Sequence, residues 1–213
     1  SVQEGDALSC TRYSSFEKYI RIIIMTKRAW SHWLLRTFNS KERSQKGSSG
    51  LVAAVSKAQN EIGPTEKHTA EDWEVAERDF LRAAQSEFCK KELDHLHRRG
   101  VVQSTSVWNG YSPYIDQNGL MRVGGRLQNA KFLPLAQRSP LIVPKGHASQ
   151  MLFEHIHCTE QKHALGPDAL HAKFCDKYFT LGAVSAAKRT CHTCVKCRAI
   201  RAHTIQPRMG ELP

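Results

Sequence analysis

Hydrophobic positions in the first forty residues recur at spacings of three and four. Phe16, Tyr19, Ile20, Ile23, Ile24, Trp30, Leu34 and Phe38 fall on one face of a helix, interrupted by Arg21, Lys27 and Arg28. Ser14-x-x-Glu17 just ahead has the form of a capping box and predicts the helix start. The stripe reads as a core-facing helix, because the apolar run Ile22–Met25 is far too short to cross a membrane. A second helix is predicted from Thr69 to Gly100. Thr69 suits the N-cap, and Glu71 and Asp72 follow where the helix dipole favours acid. Trp73, Ala76, Phe80, Ala84 and Phe88 mark its buried stripe. Between these helices, residues 39–67 turn to Ser, Lys, Gly and Gln and read as a flexible linker, with room for a short helix at Leu51–Ala58.

The period changes after Tyr111. Tyr114-Ile115 and Leu120-Met-Arg-Val123 flank Asp116-Gln-Asn-Gly119, a hairpin signal carried by the Asn-Gly turn, and Leu141-Ile-Val143 reads as a further short strand ended by Pro144. Gly124-Gly125 lacks the spacing and the Lys-Ser/Thr of a phosphate loop, so no small-molecule nucleotide substrate is expected there. Three helical stripes follow: Ala148, Leu152 and Ile156; Leu170 and Phe174 behind Gly166-Pro167, with Pro at the first helical position; and Val184, Ala187 and Cys191. The expected fold is mainly α with a small β-hairpin element and a C-terminal zinc-stapled three-helix domain. Its divisions are a helical region over 1–110, a β element over 111–146, a metal-binding domain over 147–205 and the start of a linker over 206–213.

Composition narrows the partners. A formal net charge of +11 and a pI near 9.5 point to a polyanion, DNA or another nucleic acid. No apolar run spans a bilayer and no signal peptide opens the chain, so no membrane partner and an intracellular location are expected. Seven cysteines, an odd number crowded toward the C-terminal third, suggest metal thiolates in a reducing compartment and not a disulfide framework. The chain begins at Ser1 without an initiator Met and reads as a fragment.

Candidate chemistry concentrates in Glu154–Cys197. His155, His157 and His163 lie at its front; Cys194-x-x-Cys197, with Cys191 one turn earlier, lies at its back. Cys-x-x-Cys lets two thiolates reach one tetrahedral ion, and two imidazoles some thirty residues upstream can complete the set. A redox Cys-x-x-Cys is disfavoured because residues 184–193 read as helix where a thioredoxin-like motif needs a strand, and haem attachment needs a His after the second Cys. Cys89, His95 and His97 read as core or solvated positions.

Several motifs together resemble the Pol polyprotein of BEL/Pao-type LTR retrotransposons, at the integrase N-terminal zinc-binding region and the stretch before it. They are Tyr114-Ile-Asp-Gln-Asn-Gly-Leu-Met-Arg-Val-Gly-Gly-Arg-Leu127, Leu141-Ile-Val-Pro-Lys-Gly-His147, Glu154-His-Ile-His157, His163-Ala-Leu-Gly-Pro167, Cys194-Val-Lys-Cys197 and Pro207-Arg-Met-Gly-Glu-Leu-Pro213. The resemblance implies a structural Zn²⁺ held by His157, His163, Cys194 and Cys197, with His155 and Cys191 as reserves. One departure accompanies it: five residues separate His157 from His163 where such elements have four, and Leu165 is added after His163-Ala. The resemblance further implies a domain that supports nucleic-acid binding and integrase multimerisation, in a nuclear setting. The Asp-Asp-Glu catalytic core is expected after the terminal motif, so the chain alone is expected not to be an enzyme. A longer product that retains the core, and a host-adopted nucleic-acid-binding or interaction module, are the rival readings. Lys188, Arg189, Lys196, Arg198 and Arg201, in a stretch from Ala183 to Arg208 with no Asp or Glu, are the expected phosphate contacts.

Overall fold

The computed structural model describes residues 10–42 and 68–202. They form a mainly helical fold with a small four-stranded sheet. Helix α1 spans Phe16–Glu42, α2 Ala70–Phe88 and α3 Lys90–Arg99. Strands β1 (Tyr114–Ile115) and β2 (Met121–Arg122), the short helix α4 (Leu135–Arg138) and β3 (Leu141–Ile142) follow. Next come α5 (His147–His155), a π-helical turn (Ile156–Glu160), α6 (Pro167–Cys175), β4 (Tyr178–Phe179), α7 (Ala183–Thr193) and α8 (Val195–Arg201).

Period-two alternation places the strands between two apolar clusters. Leu120, Leu141 and Val143 face a large cluster built from α1, α2, α5, α6 and α7, while Met121 and Ile142 face a smaller one with Cys89, Leu96, Val102 and Trp108. The larger cluster holds Phe16, Tyr19, Ile20, Ile23 and Ile24 of α1 together with Leu152, Phe174 and Cys191, so packing runs unbroken across residue 147.

Sheet order is β1-β2-β3-β4, antiparallel except for the parallel β3–β4 pair. A parallel pair needs a crossover. Here the crossover is α5, the π turn and α6, and it carries both expected histidine ligands. The hairpin forms at the expected turn. Gly119 takes φ +73°, and Asp116 accepts from the amides of Asn118 and Leu120 at 2.9 Å each. Asp116 also accepts from Arg122 Nε at 2.7 Å, and Arg122 donates to the Ser139 carbonyl. Burial works to raise the Asp116 carboxyl, but these bonds and the guanidinium charge hold it below its usual range. Strand β4 escaped the pattern reading because two residues carry no period.

Helix α2 begins as expected. Asp72 N–H donates to Thr69 Oγ1 and Thr69 N–H to Asp72 Oδ2, a reciprocal capping box. Five expectations need correction. Helix α1 opens one residue later than the capping-box pattern placed it, with Ser15 O accepting from Tyr19 N–H. It also continues through Glu42, so residues 39–42 are helical and not linker. Its buried face ends at Ile24, and Trp30 and Trp33 are exposed with rings 5.3 Å apart. The Thr69–Gly100 helix divides at Cys89. The break swings α3 onto the far side of the sheet, where Leu96 packs with Trp108 and Met121; Gly100, at φ +71°, ends α3 in a left-handed cap. Last, Phe88 and Val184 are exposed, while Leu81, Gln85, Ala183 and Thr190 join the expected Ala76, Phe80, Ala84, Ala187 and Cys191 on the buried side. The side chains of Leu34 and Phe38, residues 43–67 with Leu51–Ala58, and residues 203–213 lie outside the described residues.

Gln85 joins α2 to the sheet. Its Nε2 donates to the carbonyls of Met121 and Ile142 at 3.0 and 2.7 Å, and its Oε1 accepts from Met121 N–H at 2.8 Å. A side-chain amide thus completes the backbone hydrogen bonding of β2 and β3, whose two-residue ladders leave groups unpaired.

Candidate metal centre

Two helix ends meet behind the sheet. His157 sits in the π-helical turn that continues α5, and Cys194 and Cys197 sit at the junction of α7 and α8. His163 follows through a tight loop. Its N–H bonds to the carbonyl of His157 at 2.9 Å, and Lys162 and His163 take φ of +47° and +67°. Left-handed backbone is uncommon for non-glycine residues and costs about 1–2 kcal/mol each. A π turn accommodates one residue more than an α turn, and with these two residues it absorbs the five-residue spacing between the histidines.

His157 Nε2, His163 Nδ1, Cys194 Sγ and Cys197 Sγ all lie within 4.8 Å of one another and could hold a metal ion. His157 Nε2 stands 3.1 Å from Cys197 Sγ and 3.3 Å from His163 Nδ1; His163 Nδ1 stands 3.3 Å from Cys194 Sγ and 3.9 Å from Cys197 Sγ. The two rings are nearly perpendicular, at 89°. His157 and Cys197 are buried; His163 and Cys194 are half-buried and face an open cleft lined also by Glu154, Cys158 and Lys196. Burial, then His163 and Arg201, lower the His157 pKa, which keeps its imidazole neutral and its lone pair free at neutral pH. Burial pushes the Cys197 thiol up, and contact with Cys194 adds to this, so a cation must displace a proton there.

Both reserves stand outside the cluster. His155 turns away from His157, since residues two apart on a helix point to opposite sides. Its ring lies 4.9 Å from Phe16 and stacks on Trp73 at 6.2 Å, and burial holds its pKa down. Cys191 is fully buried behind His157, with Sγ 4.0 Å from His157 Nδ1 and from the Leu165 carbonyl. Packing in the larger cluster accounts for Cys191 without a ligand role. Cys89 lies buried in the other cluster, its thiol pushed up to about 12 by burial. His95 and His97 belong to no His/Cys/Asp/Glu group among the described residues that could hold an ion.

Lys188 and Arg189 on α7, and Lys196, Arg198 and Arg201 on α8, are exposed, and none forms an ion pair with a carboxylate among the described residues. Pattern reading passed over Cys158, the exposed thiol beside His157, because a single Cys next to a ligand has no spacing signature of its own. No helix among the described residues is long and apolar enough to cross a membrane. Set against family models, curated proteins and solved structures, the chain matches none.

Proposed function

We propose that the four-residue cluster holds one structural zinc ion, and that the zinc-stapled segment α5–α8 serves nucleic-acid binding and subunit assembly in a BEL/Pao-type integrase. The convergence of His157, His163, Cys194 and Cys197 carries the metal half of this reading, and the sequence resemblance and the basic residues of α7 and α8 support the rest. Tetrahedral zinc, with bonds of about 2.05 Å to nitrogen and 2.3 Å to sulfur, needs N···N near ~3.3 Å and N···S near ~3.6 Å. The N···N separation here is 3.3 Å and the N···S separations are 3.1, 3.3 and 3.9 Å. Two thiolates and two imidazoles suit zinc and disfavour the oxygen-seeking magnesium and calcium. Four protein ligands leave no open position for a substrate water, so the ion is structural and no catalytic step is assigned to it.

The ion would also organise the basic surface. Cys194 ends α7 and Cys197 lies in α8, so ligation by both pins the angle between the helices that bear Lys188, Arg189, Lys196, Arg198 and Arg201. Such a surface contacts phosphates without reading bases. Val195 and Ile200 are exposed on α8, each an apolar side chain that another subunit could cover.

Metal analysis of the purified full chain tests the zinc half of the reading. One zinc per chain is expected, with loss of the metal in His157→Ala, His163→Ala, Cys194→Ala and Cys197→Ala. A chain that stays folded and metal-free under zinc-replete conditions refutes it. For the nucleic-acid half, affinity for duplex DNA should fall with salt at a slope of about −0.9 per phosphate neutralised. Replacing Lys188, Arg189, Arg198 and Arg201 with Ala should flatten that slope by a few units, and an unchanged slope places the contact elsewhere.

A further inference from the structure

Cys158 lies inside the π-helical turn, next to the ligand His157, and its side chain is exposed. It lines the same cleft as His157, His163 and Cys194, with its side chain beside that of Cys194. The other face of the cluster is closed. Cys197 is buried at 4% exposure, and Cys191 backs His157 at 0%. A solute entering the cleft therefore meets two neighbouring sulfurs, of which one holds the ion and the other does not.

We propose that Cys158 is an oxidation site that controls metal retention, with a hydroperoxide as oxidant and Cys194 as the resolving thiol. The inference rests on the metal reading above. In the first step the Cys158 sulfur attacks the O–O bond of the peroxide, giving Cys158–SOH and releasing the alcohol, or water from hydrogen peroxide. In the second, Cys194 leaves the ion and its thiolate attacks the sulfenic sulfur. The S–S bond forms, the S–O bond breaks, and the hydroxide takes up a proton and departs as water. Two thiols are oxidised by two electrons and one peroxide is reduced. With Cys194 in the disulfide, only His157, His163 and Cys197 would remain to hold the ion, and the site would lose it. Reduction of the disulfide restores both thiols and the site. The selectivity of Cys158 comes from exposure and from the ligand sulfur at its side.

The zinc-loaded full chain, treated with excess hydrogen peroxide, tests this through zinc release to a chromogenic chelator and through non-reducing peptide mapping. Zinc release together with a Cys158–Cys194 linked peptide is expected, reversed by dithiothreitol and added zinc. Cys158→Ser and Cys158→Ala should hold zinc as the parent does before oxidation and release it about tenfold more slowly under peroxide. Equal release from the parent and both variants, or a Cys194–Cys197 linkage in place of Cys158–Cys194, overturns the proposal. A purified chain without zinc fails the metal reading separately. Mapping of that zinc-free chain still decides the thiol pair: a Cys158–Cys194 bond supports it, and any other pairing, or none, refutes it.

Discussion

Gln85→Met removes a side chain that the fold uses as part of its sheet. Gln85 is 1% exposed, and its side-chain hydrogen bonds go to backbone groups of β2 and β3. Methionine fills nearly the same volume, so the change tests hydrogen bonding and not packing. It strips partners from the Met121 carbonyl, the Met121 N–H and the Ile142 carbonyl. Each buried group left unpaired costs about 1–3 kcal/mol, and removing the amide, with its own burial cost, offsets part of the sum. A net loss of about 3 kcal/mol follows, or roughly 6–12 °C in Tm for a chain of this size. Because β3 anchors the crossover that carries His157 and His163, metal retention should weaken in parallel. Urea unfolding followed by circular dichroism measures the stability, and hydrogen exchange at Met121 reports the freed amide. Ser86→Ala, at the exposed neighbouring position, should stay within about 0.5 kcal/mol of the parent. A Gln85→Met protein equal in stability to Ser86→Ala would show that the strands are held by other means and sink the reasoning.

Two further outcomes follow from the site. Cys191→Ala should keep the metal and lose about 1 kcal/mol from the smaller buried volume, whereas metal loss in Cys191→Ser with retention in Cys197→Ser would show the thiolate pair misassigned by one helical turn. Acidification should weaken both the fold and the site. His157 has a folded pKa below the ordinary 6.5, so the unfolded chain takes up the proton first; stability is fully present above about 6.5 and is lost as pH falls through the folded value. Protons also compete with the metal for the same lone pairs, so metal titrations at stepwise lower pH should show falling affinity, and an affinity flat through that window would contradict ligation by His157.

Local pattern determined much of this protein. The spacing of Phe16–Ile24 and of Ala76, Phe80 and Ala84 located the helix faces, Thr69 located a cap, and Asp116–Gly119 located the hairpin, because each depends on interactions within a few residues. Residue type and spacing also brought the candidate ligands down to a short list of histidines and cysteines. Tertiary structure decided the rest. Phe88 and Val184 carry the apolar pattern yet are exposed, whereas Gln85 and Ala183 are buried, and only the packing partner says how far round each helix the inner face extends. Gln85 was invisible as a sheet element because its partners lie on the backbone 36 and 57 residues away. The choice of His157 over His155, and of Cys194 and Cys197 over Cys191, depended on a π turn, two left-handed residues and the parallel β3–β4 pairing that brings α7 back onto α5. None of these has a sequence period. Each is set by long-range contacts that position the chain at both ends of the thirty-residue stretch between His163 and Cys194, and there the four candidate ligands are brought together.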